Sequence, residues 1–232
     1  MTALLKSTES REKWYPVSIN RLDSFLNRVV YMGRGYRNVY ALRKNLAYNL
    51  QYLEYLNRTA VDLNLTEVIY TQTWKTFIIV GCGIVESLLY FILVAKDLHS
   101  KTDLEFMADI SSNPIRLDGE LRVIKSKVFK KLSHSRPEQM SFDSMLKKAE
   151  SKKLLGSDHE LYVKLNYLRN LRNKVHLQEI SHEFDTDWNS FNWNSVCAMA
   201  SVLHAIFTSK IFSPTEEEME YFSYLLRYAK RY

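Results

Sequence analysis

Apolar positions recur at gaps of three or four residues in several separate stretches of this chain, the spacing that lines up one side of an α-helix. In residues 38–57, Val39, Leu42, Leu46, Leu50, Leu53 and Leu56 predict a helix with a buried face. Tyr48, Tyr52 and Tyr55 add a second stripe, which we read as packing against a further neighbour, since aromatic stripes are more often core than stacking platforms. Residues 77–95, FIIVGCGIVESLLYFILVA, are apolar almost throughout. Their length approaches the roughly 20 residues that cross a bilayer. A helix buried on all sides of a bundle has the same composition, and the chain offers other apolar stripes to surround it, so we read it as a core helix and expect no membrane. Residues 141–153 open on the cap candidate Ser141, followed by Phe142, Met145, Leu146 and Ala149. Gly156 then marks a stop and Ser157 or Asp158 the next cap, before a helix through residues 160–177. After a polar loop, HEFDTDWNSFNW, another apolar helix spans 193–212 and ends at Ser213-Pro214. A last helix, 215–232, begins with Thr215 and three Glu and finishes with Arg and Lys, the polarity the helix dipole favours.

One stretch breaks this rhythm. Residues 111–139 hold the breakers Asn113-Pro114, Asp118-Gly119 and Arg136-Pro137, while Ile115, Leu117, Leu121, Val123 and Val128 partly alternate with polar residues. We read a small β-hairpin insertion at about 113–135. Elsewhere 6 Gly and 4 Pro in 232 residues are too few for the turns of a β-sandwich or barrel, so the fold class is mainly α, a helical bundle. The expected organisation is a helical extension (1–65), a helical core carrying the hairpin (66–212) and a C-terminal helix (213–232), together one compact unit.

Charge adds a possible partner class. The formal net charge is +6, unevenly placed. Arg21, Arg28, Arg34, Arg37, Arg43 and Lys44 stand against Asp23 alone in residues 21–44, and Arg122, Lys125, Lys127, Lys130, Lys131 and Arg136 fall in an acid-free stretch, 121–136. Such blocks suit a polyanion such as RNA, though a merely solvated surface has the same look. The 2 cysteines, Cys82 and Cys197, lie in apolar stretches far apart, which argues against a disulfide framework and for a reducing, cytoplasmic location. The opening sequence, MTALLKSTESREKWYP, lacks the apolar core of an export signal.

Three positions in the core helix need a reason. Gly81 and Gly83 each cost up to about 1 kcal/mol relative to Ala, which close approach of another backbone would offset. Glu86, at the centre of the apolar stretch, must meet a cation and hydrogen-bond donors. Candidates lie in LRNLRNKVHL, residues 168–177: on a continuous helix Arg172 and His176 are about 40° apart and Arg169 and His176 about 20° apart, so all three would face one way. Asn170 and Asn173 follow the two arginines, and Leu165, Leu168, Leu171 and Val175 supply the packing stripe. Read blandly, the arginines make surface ion pairs and His176 complements a helix end.

These residues resemble the signature of the HEPN superfamily of helical-bundle proteins, an Arg, usually with a polar residue after it, then His four to six residues on. Arg169-Asn170 with His176 fits that spacing; Arg172-Asn173 is similar to the commoner dipeptide but stands only three residues short of His176. Upstream, GCGIVESLLYFIL resembles the family's core helix with an inward Glu, and SFDSMLKKAESKKLL the segment before the motif helix, so the resemblance covers about residues 66–212. It implies an antiparallel bundle and a metal-independent endoribonuclease, often a toxin or antiviral defence effector, acting as a homodimer whose motif helices face each other. Arg169, Asn170, Arg172, Asn173, His176 and Glu86 are then the candidate catalytic set. The chemistry is sound for these types: a His moves protons near neutral pH and an Arg holds the phosphate as its charge develops. His99, His134, His159, His182 and His204 have no metal-ligating spacing, nor does the acidic loop of Glu183, Asp185 and Asp187, so no cofactor or metal is expected. The other class is a catalytically silent binding module for RNA, an antitoxin or another regulatory protein.

Overall fold

The computed structural model describes Leu4, residues 13–33 and residues 35–229. The expectations for the rest of the opening sequence, for Arg34 in the first basic block and for the end of the last helix lie outside the described residues. The chain divides into two units, Met1–Asp97 with Ser141–Tyr232, and Leu98–Met140.

The first unit is helical: α1 Ile19–Leu26, α2 Val39–Asp62, α3 Glu67–Ala95, α4 Phe142–Ser151, α5 His159–Asn173, α6 Asp187–Ser190, α7 Trp193–Phe207, α8 Glu216–Met219, a 3-10 turn Glu220–Phe222, and α9 Ser223–Ala229. The apolar stretch forms its hub, because α2, α4, α5, α6 and α7 all pack on α3. By length and composition α3 could cross a membrane, yet 61% of its most apolar window is buried inside the protein. Each fully buried Phe, Ile or Leu there contributes roughly 1.5–3 kcal/mol of transfer free energy, which favours this arrangement. Gly81 is where a neighbour comes close: a Cβ there would lie 2.5 Å from Sδ and 2.9 Å from Cγ of the buried Met199 on α7. The close neighbour is a side chain, not a backbone, and a Cβ at Gly83 would meet open space.

Aromatic side chains join the helices to one another and to the segments that follow α7. Phe25 of α1 stacks on Phe212 with ring centres 5.0 Å apart, and Phe207 on Phe222 at 4.9 Å. Trp74, Trp193 and Tyr228 meet edge to face, and the buried Tyr228 hydroxyl donates to Asn57 Oδ1 at 2.7 Å. Caps fix the helix starts: Ser141 accepts from the Ser144 N–H, Asp158 from Glu160, and Thr215 with Glu218 forms a capping box.

Several helical elements differ from the pattern reading, α7 among them, which ends at Phe207 rather than at 212. Tyr48, Tyr52 and Tyr55 are exposed by 53%, 42% and 49%, because α2 meets α1 and α3 through its leucine side and nothing described covers the tyrosines. Tyr52 and Tyr55 stack on each other instead. The last helix is broken into α8, the 3-10 turn and α9, and the polar loop before α7 contains the short α6.

The second unit is a β-ribbon: β1 Lys101–Ser111, β2 Ile115–Leu117, β3 Glu120–Arg122 and β4 Lys125–Pro137. β1 pairs antiparallel with β4 and β2 with β3. Asp118 and Gly119 turn between β2 and β3 with φ of 52° and 79°, the doubly left-handed geometry for which Asp-Gly is suited. The hairpin is longer than 113–135 because β1 joins it. Register shifts between Thr102 and Leu104 and between Phe106 and Ala108 interrupt the alternation of β1 and hide it from a period-two search.

Candidate active site

α5 buries Leu161, Tyr162, Leu165, Leu168 and Leu171 against α3, α4 and α7, which leaves Arg169 and Arg172 half-buried and Asn170 and Asn173 exposed. Arg172 Nη2 donates to Glu86 Oε2 at 3.1 Å, joining α5 to the centre of α3. Glu86 does not lie deep in the core: its side chain is 26% exposed. The reason is that α3 is not wrapped on every side, and Val80, Gly83, Glu86 and Ser87 fall on the stripe left open. Next to that stripe a cavity of about 210 Å³ lies between α2 and α3, with Asn45 and Asn49 on one wall and Val80, Gly83 and Ser87 on the other.

Arg169 has a different partner. It pairs with Asp143 in the first turn of α4, and its Nη2 also donates to Asn170 Oδ1 at 3.0 Å. Asp143 accepts Lys147 Nζ as well, at 2.7 Å. Sequence reading passed over Asp143 because an acid in the first turn of a capped helix is explained by the helix dipole alone.

His176 is not on the motif helix. α5 ends at Asn173, and Lys174, Val175 and His176 follow in three-residue turns, their N–H groups donating to the carbonyls of Leu171, Arg172 and Asn173 at 3.0, 3.2 and 3.1 Å. The angular relation expected for a continuous helix therefore does not hold. A competing set of contacts ends the helix: Lys174 pairs with Asp185, which also accepts the Ser181 N–H at 3.0 Å and the Ser190 hydroxyl at 3.3 Å. The side-chain hydrogen bond from Lys174, helped by the Ser181 N–H, holds the Asp185 carboxyl far below its usual range. The imidazole of His176 is exposed and makes no hydrogen bond to a described residue.

The loop that begins with His176 is pinned at its far end too. The buried Lys75 on α3 reaches Asp187 at 2.8 and 2.9 Å, and Gln72 donates to the same carboxylate at 2.8 Å. Burial pushes the Asp187 pKa up, but the bonds from Lys75 and Gln72 outweigh it and the net shift is downward. Behind the ion pair, the Cys82 thiol faces the Leu168 carbonyl at 3.5 Å, and burial raises its pKa to about 12, with Arg172 and Glu86 acting in opposite directions. A thiol so protonated is no nucleophile. Among the described residues no group of three or more His, Cys, Asp or Glu could hold a metal ion.

The structure thus brings together Glu86 with Arg172, and Arg169 with Asn170 and Asp143, and places His176 in the turns beyond them. Chemically this is a guanidinium anchored by a carboxylate on an open stripe, with a free imidazole following on the same segment. No family model matches the chain, and no curated protein or solved structure matches it.

Proposed function

We propose that this chain is a metal-independent endoribonuclease of HEPN type. The observation that carries the reading is the Arg172–Glu86 ion pair at 3.1 Å, a carboxylate from the centre of the core helix holding an arginine of the motif helix. In this reaction the 2′-hydroxyl attacks the adjacent phosphorus, a P–O bond forms and the bond to the 5′-oxygen breaks. The products are a 2′,3′-cyclic phosphate and a 5′-hydroxyl. The 2′-hydroxyl gives up its proton as it attacks and the leaving 5′-oxygen takes one up; His176 serves one of these transfers and solvent water the other, while Arg172 stabilises the charge gathering on the phosphate. Glu86 positions Arg172, while Arg169, Asn170 and Asn173 line the approach. A homodimer with facing motif helices, a cytoplasmic location and a role as toxin or defence effector, restrained by an antitoxin or other regulator, complete the reading.

One observation favours a second reading, a silent binding module: both arginines are already paired with carboxylates, and nothing described orients the His176 ring. Incubating the purified chain with total RNA and analysing the ends separates the two. Cyclic phosphates and 5′-hydroxyls that disappear with His176→Ala support the nuclease; intact RNA with wild-type protein leaves the binding module.

A further inference from the structure

The β-ribbon of Leu98–Met140 carries a face with a chemistry of its own. β4 runs without irregularity from Lys125 to Lys131, so Lys125, Lys127, Phe129 and Lys131 share one side. On β1, Phe106 stands opposite Phe129 and Leu104 opposite Lys131, and the two phenylalanine rings meet edge to face with centres 6.0 Å apart. Phe106 is 51% and Phe129 46% exposed, and the lysines are exposed. Asp109, opposite Lys127, is the acid on this side, yet neither Lys127 nor Lys125 or Lys131 makes an ion pair with a described residue. On the opposite side Glu105, across from Lys130, pairs with Arg136 at 2.9 Å, and that side carries no aromatic pair. Lys125 and Lys127 lie about 7 Å apart along the strand, and Lys127 and Lys131, about 13 Å apart, flank the aromatic pair.

We infer that this face binds single-stranded RNA, with bases stacking on Phe106 and Phe129 and phosphates running along Lys125, Lys127 and Lys131. Stacking serves every base because each has a π-face, and a line of lysines tracks a backbone whatever the sequence. Duplex fits poorly, since its bases are already stacked on one another. A protein partner would want the apolar groups without three uncompensated lysines around them. The choice of RNA over DNA rests on the ribonuclease reading above; the face itself does not.

The test uses the full chain carrying His176→Ala, so that bound RNA stays intact, and fluorescence anisotropy with labelled oligouridine, the matching oligodeoxythymidine and an RNA duplex across a salt series. Lys125→Gln, Lys127→Gln and Lys131→Gln together are expected to lower the slope of log K against log salt by about two, at about 0.7 per phosphate contact. Phe106→Ser with Phe129→Ser, which removes two stacked bases, is expected to weaken oligouridine about thirtyfold or more with the slope unchanged, while Lys130→Gln on the other side stays within about twofold. Unchanged affinity in either the lysine or the phenylalanine variant, duplex bound as tightly as oligouridine, or a phenylalanine variant that dissociates a dimer without losing RNA, overturns the assignment; the deoxy oligomer bound as tightly as oligouridine overturns the choice of RNA. Thermal unfolding of each variant separates loss of binding from loss of fold. Wild-type protein that binds at this face and cuts nothing would sink the nuclease reading and leave this one standing; protein that cuts RNA and binds equally well without the lysines would do the reverse.

Discussion

At the scale of single residues, the two motif arginines are not equivalent. Arg172 is held from the core by Glu86, whereas Arg169 is held from the first turn of α4 by Asp143. If Glu86 positions the catalytic cation, Arg172→Ala is expected to match His176→Ala, a loss of roughly 10²- to 10⁴-fold in cleavage rate. Arg169→Ala is then expected to act mainly through KM. Single-turnover kinetics on a defined RNA read the difference, and equal losses for both arginines would break the distinction. Glu86→Gln keeps the shape but removes the charge. It is expected to lower kcat without changing the fold, which circular dichroism would check. Much of this site was legible: Glu86 required a cation, and Arg172 was one of the two candidates. The end of α5 was not, because Lys174 finds Asp185 eleven positions further on, and no local period reports a contact across a loop. The periodicity therefore carries His176 onto a helix that stops before it.

At the scale of elements, α3 offers a comparison within one helix. Gly81 faces the buried Met199, so Gly81→Ala must displace a thioether that has nowhere to go, and overpacking of this kind costs about 1–3 kcal/mol. Gly83 faces open space, so Gly83→Ala is expected to add up to about 1 kcal/mol through helix propensity. Opposite signs in urea denaturation would establish that Gly81 is kept for packing; the same sign for both would refute it. The leucines of α2 and the apolar run of α3 made both helices readable, whereas the tyrosine stripe of α2 misled because three- and four-residue spacing shows a shared face without showing whether anything covers it. The loop between α5 and α7 gives a pH expectation. The folded pKa values of Asp185 and Asp187 lie below the unfolded value of about 3.9, so the stability they contribute is fully present above that value and is lost as pH falls through the folded values. Asp187→Asn leaves the Lys75 ammonium buried with a weaker partner. It is expected to cost about 1–3 kcal/mol at neutral pH and to flatten the acid limb of a stability-against-pH curve. An acid limb as steep as wild type would show that the loop is held by other means.

At the scale of the whole molecule, the homodimer can be tested through its symmetry. A two-fold axis brings each residue near it against its own copy, so one substitution introduces two like charges at once. Asn170 and Asn173 are exposed amide positions on α5 itself, and facing motif helices would set them close to that axis. Asn170→Glu with Asn173→Glu is therefore expected to yield monomers and to abolish cleavage, while each chain keeps its own Arg172–Glu86 pair. Tyr52→Glu, on the exposed stripe of α2, is expected to leave both the association and the cleavage unchanged. Sedimentation velocity at micromolar concentration without detergent, run beside the cleavage assay, decides between the faces. A dimer that survives the asparagine changes and dissociates with Tyr52→Glu would move the interface to α2, and a wild-type monomer would remove the facing-helix dimer altogether.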